Sequence, residues 1–111
     1  MLNRPGVPEI SVRDLKKSMD EGESPVLVDV RQTGEHQLGN IGGTHLQLDQ
    51  LPARISELNA LKEKNFVVYC RSGGRSGQAV QFLHAQGFTG ATNLKGGMLA
   101  WQAEIDPTLS V

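Results

Sequence analysis

One cysteine stands in a setting suited to nucleophilic work. Cys70 ends the apolar run Asn65-Phe66-Val67-Val68-Tyr69 and opens Arg71-Ser72-Gly73-Gly74-Arg75-Ser76, after which a helical pattern resumes at Ala79, Val80 and Leu83. Successive backbone N–H groups in a tight glycine-rich turn can converge on one anion, and a helix N-terminus adds positive partial charge at the same place. Helix N-termini and neighbouring arginines favour thiolate over thiol. Cys70 is therefore expected to act as a thiolate without a histidine base, with the N–H groups from Arg71 to Arg75 and the hydroxyls of Ser72 and Ser76 around it. A lone cysteine is ordinarily an inert core residue. A core thiol, however, needs neither the two glycines nor the two arginines that fill the next five positions here. A passive phosphate loop is the other reading, but the segment lacks the Lys-Ser/Thr pair of a nucleotide-binding P-loop.

The supporting residues follow from the same loop. Arg75, at the entrance to the helix, is placed to fix the loop through a bidentate carboxylate pair, and Asp29, at the end of an earlier strand, is the expected partner. Arg71, beside the nucleophile, either faces the mouth and attracts an anionic donor or is a solvated surface charge. Asp29-Val30-Arg31 leaves its strand at the same edge of the sheet, where the charged pair could line the pocket or tie strand to loop; the structural role is favoured for Asp29. Gly96-Gly97 lets backbone approach the site, and Trp101 reads as core. His36, His45 and His84 form no ligand or catalytic set and read as surface or packing residues.

The elements that must position these groups alternate in type. Ser11 is a plausible N-cap for a helix carrying Val12, Leu15 and Met19 on one face and ending near Gly22. Val26-Leu27-Val28-Asp29-Val30 is a short β-branched run of the kind buried on both faces of a parallel sheet. Gly39 to Gly43 reads as a loop. Leu46 and Leu48 lead to a helix around Leu51, Ile55 and Leu58, with Pro52 in its first turn. The strand ending at Cys70 and its helix come next, closed by Gly87. Thr89 to Leu94 forms a further strand, and a short helix runs through Trp101. This order predicts an α/β domain whose central, mainly parallel sheet has helices on both faces and its site at the carboxyl ends of strands.

Composition narrows the function class. The 111 residues, with no repeat or linker, predict one domain over 1–111, burying roughly two thirds of the surface of the unfolded chain. Eleven Lys and Arg against twelve Asp and Glu give a net charge of −1, which offers no basic field for nucleic acid or an anionic membrane. A single cysteine excludes an internal disulfide and no Cys or His spacing resembles a zinc site; the chemistry expected of Cys70 requires neither metal nor organic cofactor. Met1-Leu2-Asn3-Arg4-Pro5-Gly6 has no apolar h-region and no stretch is long enough to span a bilayer; a reducing, cytoplasmic location is expected.

Asp29-Val30-Arg31, Gly39-Asn40-Ile41, Cys70 to Ser76 and Leu94-Lys95-Gly96-Gly97-Met98-Leu99-Ala100-Trp101 together resemble the rhodanese family over nearly the whole chain. The resemblance implies a rhodanese-like α/β domain and sulfur transfer through a persulfide on Cys70, from a small-molecule donor such as thiosulfate to a thiophilic acceptor, cyanide or a thiol. A sulfur-relay protein is a further expected partner, because a carrier module fed by a protein persulfide would need the same loop. A phosphatase or arsenate reductase is the other alternative. Phosphatases of this fold put five residues between cysteine and arginine, whereas four separate Cys70 from Arg75, a smaller cradle that favours sulfur. The chain departs from the family pattern at Asn40, where histidine often stands, and at Gly42, where proline is frequent.

Overall fold

The computed structural model describes residues 6–111. Five strands form one sheet: β1 (Glu9–Ile10), β2 (Val26–Asp29), β3 (Thr44–His45), β4 (Phe66–Tyr69) and β5 (Ala91–Leu94), in the order β1-β5-β4-β2-β3. Every pairing is parallel, with Val26–Asp29 of β2 opposite Phe66–Tyr69 of β4, and Phe66–Val68 opposite Ala91–Asn93 of β5. The α/β architecture expected from the sequence is therefore present. The paired strands are shorter than the apolar runs that contain them, because Val30 and Cys70 leave the ladder to begin the connections.

Alternation along the strands divides the core into two layers. Val28, Val30, Phe66, Val68 and Cys70 face one layer with Leu46, Leu51, Leu58 and the helix α4 (Gly74–Ala85) residues Ala79, Val80 and Leu83. Leu27, Val67 and Tyr69 face the other, where α1 (Val12–Asp20) supplies Val12 and Leu15 and α5 (Gly97–Glu104) supplies Met98 and Trp101. Trp101 is thus a core residue. Ser11 caps α1 by accepting from the Asp14 N–H at 3.1 Å.

Two segments differ from the sequence reading. The helix expected around Leu51, Ile55 and Leu58 is a single α-turn, α3 (Leu51–Arg54), between 3₁₀ segments Leu48–Gln50 and Ile55–Leu61. Residues three apart stack in a 3₁₀ helix, and Ile55, Leu58 and Leu61, which all pack on the core, are spaced by three. A short helix, α2 (Thr33–Leu38), also fills the connection after β2. It buries none of its side chains, so hydrophobic periodicity could not signal it; its start is set by the Gln32–Glu35 capping box.

The departures at positions 40 and 42 have local explanations. Asn40 donates to the His36 carbonyl at 3.0 Å and accepts from the Gly42 N–H at 2.9 Å. Gly42 has φ +98°, a conformation closed to proline, and its carbonyl accepts from the Tyr69 hydroxyl at 2.8 Å. The loop is pinned by a different set of bonds rather than left loose.

Leu83 is fully buried between α4 and the sheet. Leu83→Ala should lower the unfolding free energy by about 3 kcal/mol, checked by urea denaturation.

Candidate active site

β4 runs into α4 across only Cys70 to Gly73, and this short crossing sets the site. Gly73, the N-cap residue, has φ +101°, which turns its N–H back onto the Cys70 Sγ at 3.1 Å. The first turn of α4 brings the Ser76 N–H to 3.4 Å and the Ser76 hydroxyl to 3.3 Å from the same sulfur. Cys70 is 1% exposed, so the sulfur lies at the base of the loop. Ser72 is exposed and gives it no hydrogen bond, and of the loop's N–H groups only those of Gly73 and Ser76 reach Sγ. Of the donors expected from Arg71 to Arg75 and from both serines, the structure brings those of Gly73 and Ser76 to the sulfur of the free cysteine.

The main chain of Cys70 is held from the opposite side. The Met98 N–H donates to the Cys70 carbonyl and the Leu99 N–H to the Arg71 carbonyl, both at 2.9 Å. α5 thus spends its own free N-terminal donors on the loop. Contact this close requires Gly97: a Cβ there would lie 2.4 Å from the Cys70 carbonyl oxygen, and φ is +56°. The Gly96-Gly97 pair has the close-approach role read from the sequence.

Arg75 does take a bidentate carboxylate, but from Glu35 rather than Asp29. Its two terminal nitrogens lie 2.6 and 2.8 Å from the Glu35 carboxylate oxygens. Hydrogen bonds from Arg75 hold the Glu35 carboxyl down at about 2. Glu35 comes from α2, the helix that lacks an apolar signature; the capping box was its one sequence signal.

Asp29 and Arg31 instead pair with each other, both fully buried. Arg31 places Nε and Nη2 on the Asp29 carboxylate at 2.8 to 3.2 Å and donates from Nη2 to the Gly39 carbonyl at 2.7 Å. Burial opposes the charge on Asp29, but hydrogen bonds from Arg31 and His36 outweigh it and keep its carboxyl below the ordinary value. Its partner His36 stacks on His45 with ring centroids 4.6 Å apart. His45 lies 2.7 Å from the Arg31 carbonyl and His84 lies 2.8 Å from the Ala91 carbonyl, each through Nε2. This network ties β2 to the Gly39–Gly43 loop and does not touch the sulfur. Arg71 is exposed at the loop's outer side.

One further residue emerges only in three dimensions. Asn93 of β5, 2% exposed, accepts from the Ser76 hydroxyl and donates to the Gly73 carbonyl at 3.2 Å. Nothing in its position on a buried strand distinguishes it from a satisfied core amide in sequence. An open cavity of about 340 Å³, lined by Val30, Gln32, Gln47, Leu48, Asp49 and Arg75, adjoins the loop. Among the described residues no cluster of His, Cys, Asp and Glu could hold a metal ion, and no helix is long and apolar enough to cross a membrane.

A parallel sheet layered by helices, with a cysteine-opened anion loop at its carboxyl edge, defines the class of site. Residues 11–104 match the family model of the rhodanese-like domain. A sulfurtransferase of Allochromatium vinosum is 38% identical over 96 residues, which cover 86% of this chain and 88% of that protein. An adenylyltransferase and sulfurtransferase of Zea mays is 39% identical over 108 residues, but the chain spans only 23% of that longer relative. A crystal structure of a rhodanese-like domain protein from Staphylococcus aureus superposes with a TM-score of 0.78 at 30% identity, covering 95% of this chain and 98% of that one. The chain belongs to the rhodanese-like domain family, and sulfur transfer is the general activity that this membership supports.

Two outcomes test the geometry. Above pH 4.5, the ordinary value for a glutamate, the paired Glu35 carboxylate contributes its full stabilisation, and this is lost as pH falls from there towards about 2. The stability difference between the wild type and Glu35→Gln should be about 0.5–1 kcal/mol at pH 7, as for a partly exposed pair, and shrink across that window in urea titrations. Gly97→Ala should destabilise by about 2 kcal/mol through the clash and the strained φ, and slow alkylation of Cys70 by iodoacetamide.

Proposed function

We propose that the chain is a sulfurtransferase that carries sulfane sulfur as a persulfide on Cys70, moving it from a donor such as thiosulfate to a thiophilic acceptor such as cyanide or a thiol. The observation that carries this reading is the convergence of the Gly73 N–H, the Ser76 N–H and the Ser76 hydroxyl on Cys70 Sγ within a Cys–x₄–Arg loop. The Cys70 thiolate attacks the sulfane sulfur, the S–S bond of the donor breaks, and its electron pair leaves with sulfite. The acceptor then attacks the terminal sulfur of the persulfide. That S–S bond breaks in turn and its electron pair returns to Sγ.

The N–H groups of Gly74 and Arg75 lie in the first turn of α4, where no carbonyl one turn back can receive them. In this reading they serve the terminal sulfur of the persulfide, the atom that bears its charge. Glu35 holds Arg75 so that its guanidinium stabilises the loop, and Arg71 attracts anionic donors from outside. Asp29 and Arg31 hold the exit of β2, where Val30 lines the neighbouring cavity. The chemistry needs no metal or organic cofactor, and residues 1–111 act as one domain in a reducing cytoplasm where the free thiol persists.

A second reading, a module fed by a protein persulfide, is favoured by the Zea mays relative, in which the matching region is a fraction of a longer adenylyltransferase and sulfurtransferase. Intact mass after thiosulfate treatment of the reduced protein separates the readings. A gain of roughly 32 mass units, one sulfur, should appear, disappear on adding cyanide as thiocyanate forms, and be absent in Cys70→Ser. A chain that takes sulfur from a protein persulfide but not from thiosulfate supports the carrier. No gain from either, with hydrolysis of a phosphate ester instead, overturns sulfur transfer.

A further inference from the structure

The buried amide of Asn93 has a fixed orientation. Its Nδ2 lies 3.2 Å from both the Gly73 carbonyl and the Glu9 Oε2, so both of its N–H donors are used. Oδ1 is left facing Ser76, and an amide oxygen only accepts. The Ser76 hydroxyl owns one proton but has two acceptors in reach, Asn93 Oδ1 at 2.5 Å and Cys70 Sγ at 3.3 Å. Ser76 is fully buried, which leaves no water to satisfy whichever acceptor loses the proton.

We propose that Asn93 is a positioning residue that competes with Cys70 for the single hydroxyl proton of Ser76 and so sets how strongly the loop stabilises an anionic sulfur. With the proton on Asn93, the Ser76 oxygen turns a lone pair towards Sγ. That arrangement accepts the S–H of a thiol and repels a thiolate. With the hydroxyl rotated, the proton points at the thiolate and Asn93 Oδ1 loses its donor. Cys70 therefore receives two steady hydrogen bonds, from Gly73 and Ser76 N–H, and a third that Asn93 can withdraw.

The competition gains a use in sulfur transfer, and this part rests on the persulfide reading above. Once Sγ is bonded to a second sulfur its charge has moved to the terminal atom, and the hydroxyl settles on Asn93. When the acceptor attacks and the S–S bond breaks, the electron pair remains on Sγ, and the hydroxyl swings back to stabilise the departing thiolate. No proton is transferred; one hydrogen bond changes partner.

The test is the pH dependence of Cys70 alkylation by iodoacetamide, followed by intact mass, which needs no sulfur donor. Asn93→Leu, similar in size but without an acceptor, should lower the pH midpoint by about one unit, the worth of one hydrogen bond to the anion. The same substitution in the Ser76→Ala background should leave the midpoint unmoved. A mere loosening of the loop would move both backgrounds alike. Equal shifts in the two backgrounds, or no fall in the first, overturn the proposal. Asn93→Ala serves in the same cycle if the leucine variant does not fold, as judged by circular dichroism. If thiosulfate fails to load sulfur while the Ser76-dependent shift is present, the persulfide reading fails and the assignment of Asn93 stands.

Discussion

The structure depends on the immobilisation of Cys70 from two sides. Its sulfur is met by donors from the start of α4 and its carbonyl by a donor from the start of α5. Two helix N-termini each direct an otherwise unpaired N–H group, from Ser76 and from Met98, to one residue. The same bonds pair helix donors and fix the nucleophile. It also explains the glycine demand. Gly73 must reach φ +101° to turn its N–H inwards, and Gly97 must lack a Cβ because the Cys70 carbonyl occupies that space. The sheet, with β4 between β2 and β5, brings both helices to the same edge.

Around this centre the charges divide into two networks with different work. Glu35–Arg75 lies at the loop's rim, partly exposed, and its bidentate geometry orients α4 and α2 more than it stabilises the chain. Asp29–Arg31 is fully buried, where desolvation offsets most of the attraction between the partners. Its value is directional: Arg31 bridges the Asp29 carboxylate and the Gly39 carbonyl and lies over the Tyr69 ring at 5.7 Å, so the loop after α2 is fastened to the sheet. The two networks share no hydrogen-bond partner, although the charges of each act on the other.

What could be read from the sequence was whatever periodicity or turn chemistry encodes locally. The strands at Val26 and Phe66, the Ser11 cap, the Cys70–Ser76 loop and the close approach at Gly96-Gly97 all carry such signals. α2 carries none in its hydrophobic pattern, so the sequence points to Asp29 rather than Glu35 as the partner of Arg75. The two-residue edge strands β1 and β3 are too short for alternation to show. Asn93 is a different case. Its side chain matters because β5 lies beside β4, which places it against Gly73 and Ser76 twenty and seventeen positions away in the chain, and no local pattern encodes that adjacency.

The size of the loop bears on what it can hold. Gly73 is already the N-cap of α4, so the chain has no further residue with which to widen the turn between sulfur and helix. A tetrahedral oxyanion presents several oxygens that need donors spread around it. Here the Gly73 N–H and both donors of Ser76 are committed to Sγ itself, which leaves fewer of them to surround such a group. That commitment of donors supports the proposed sulfur chemistry over phosphate chemistry.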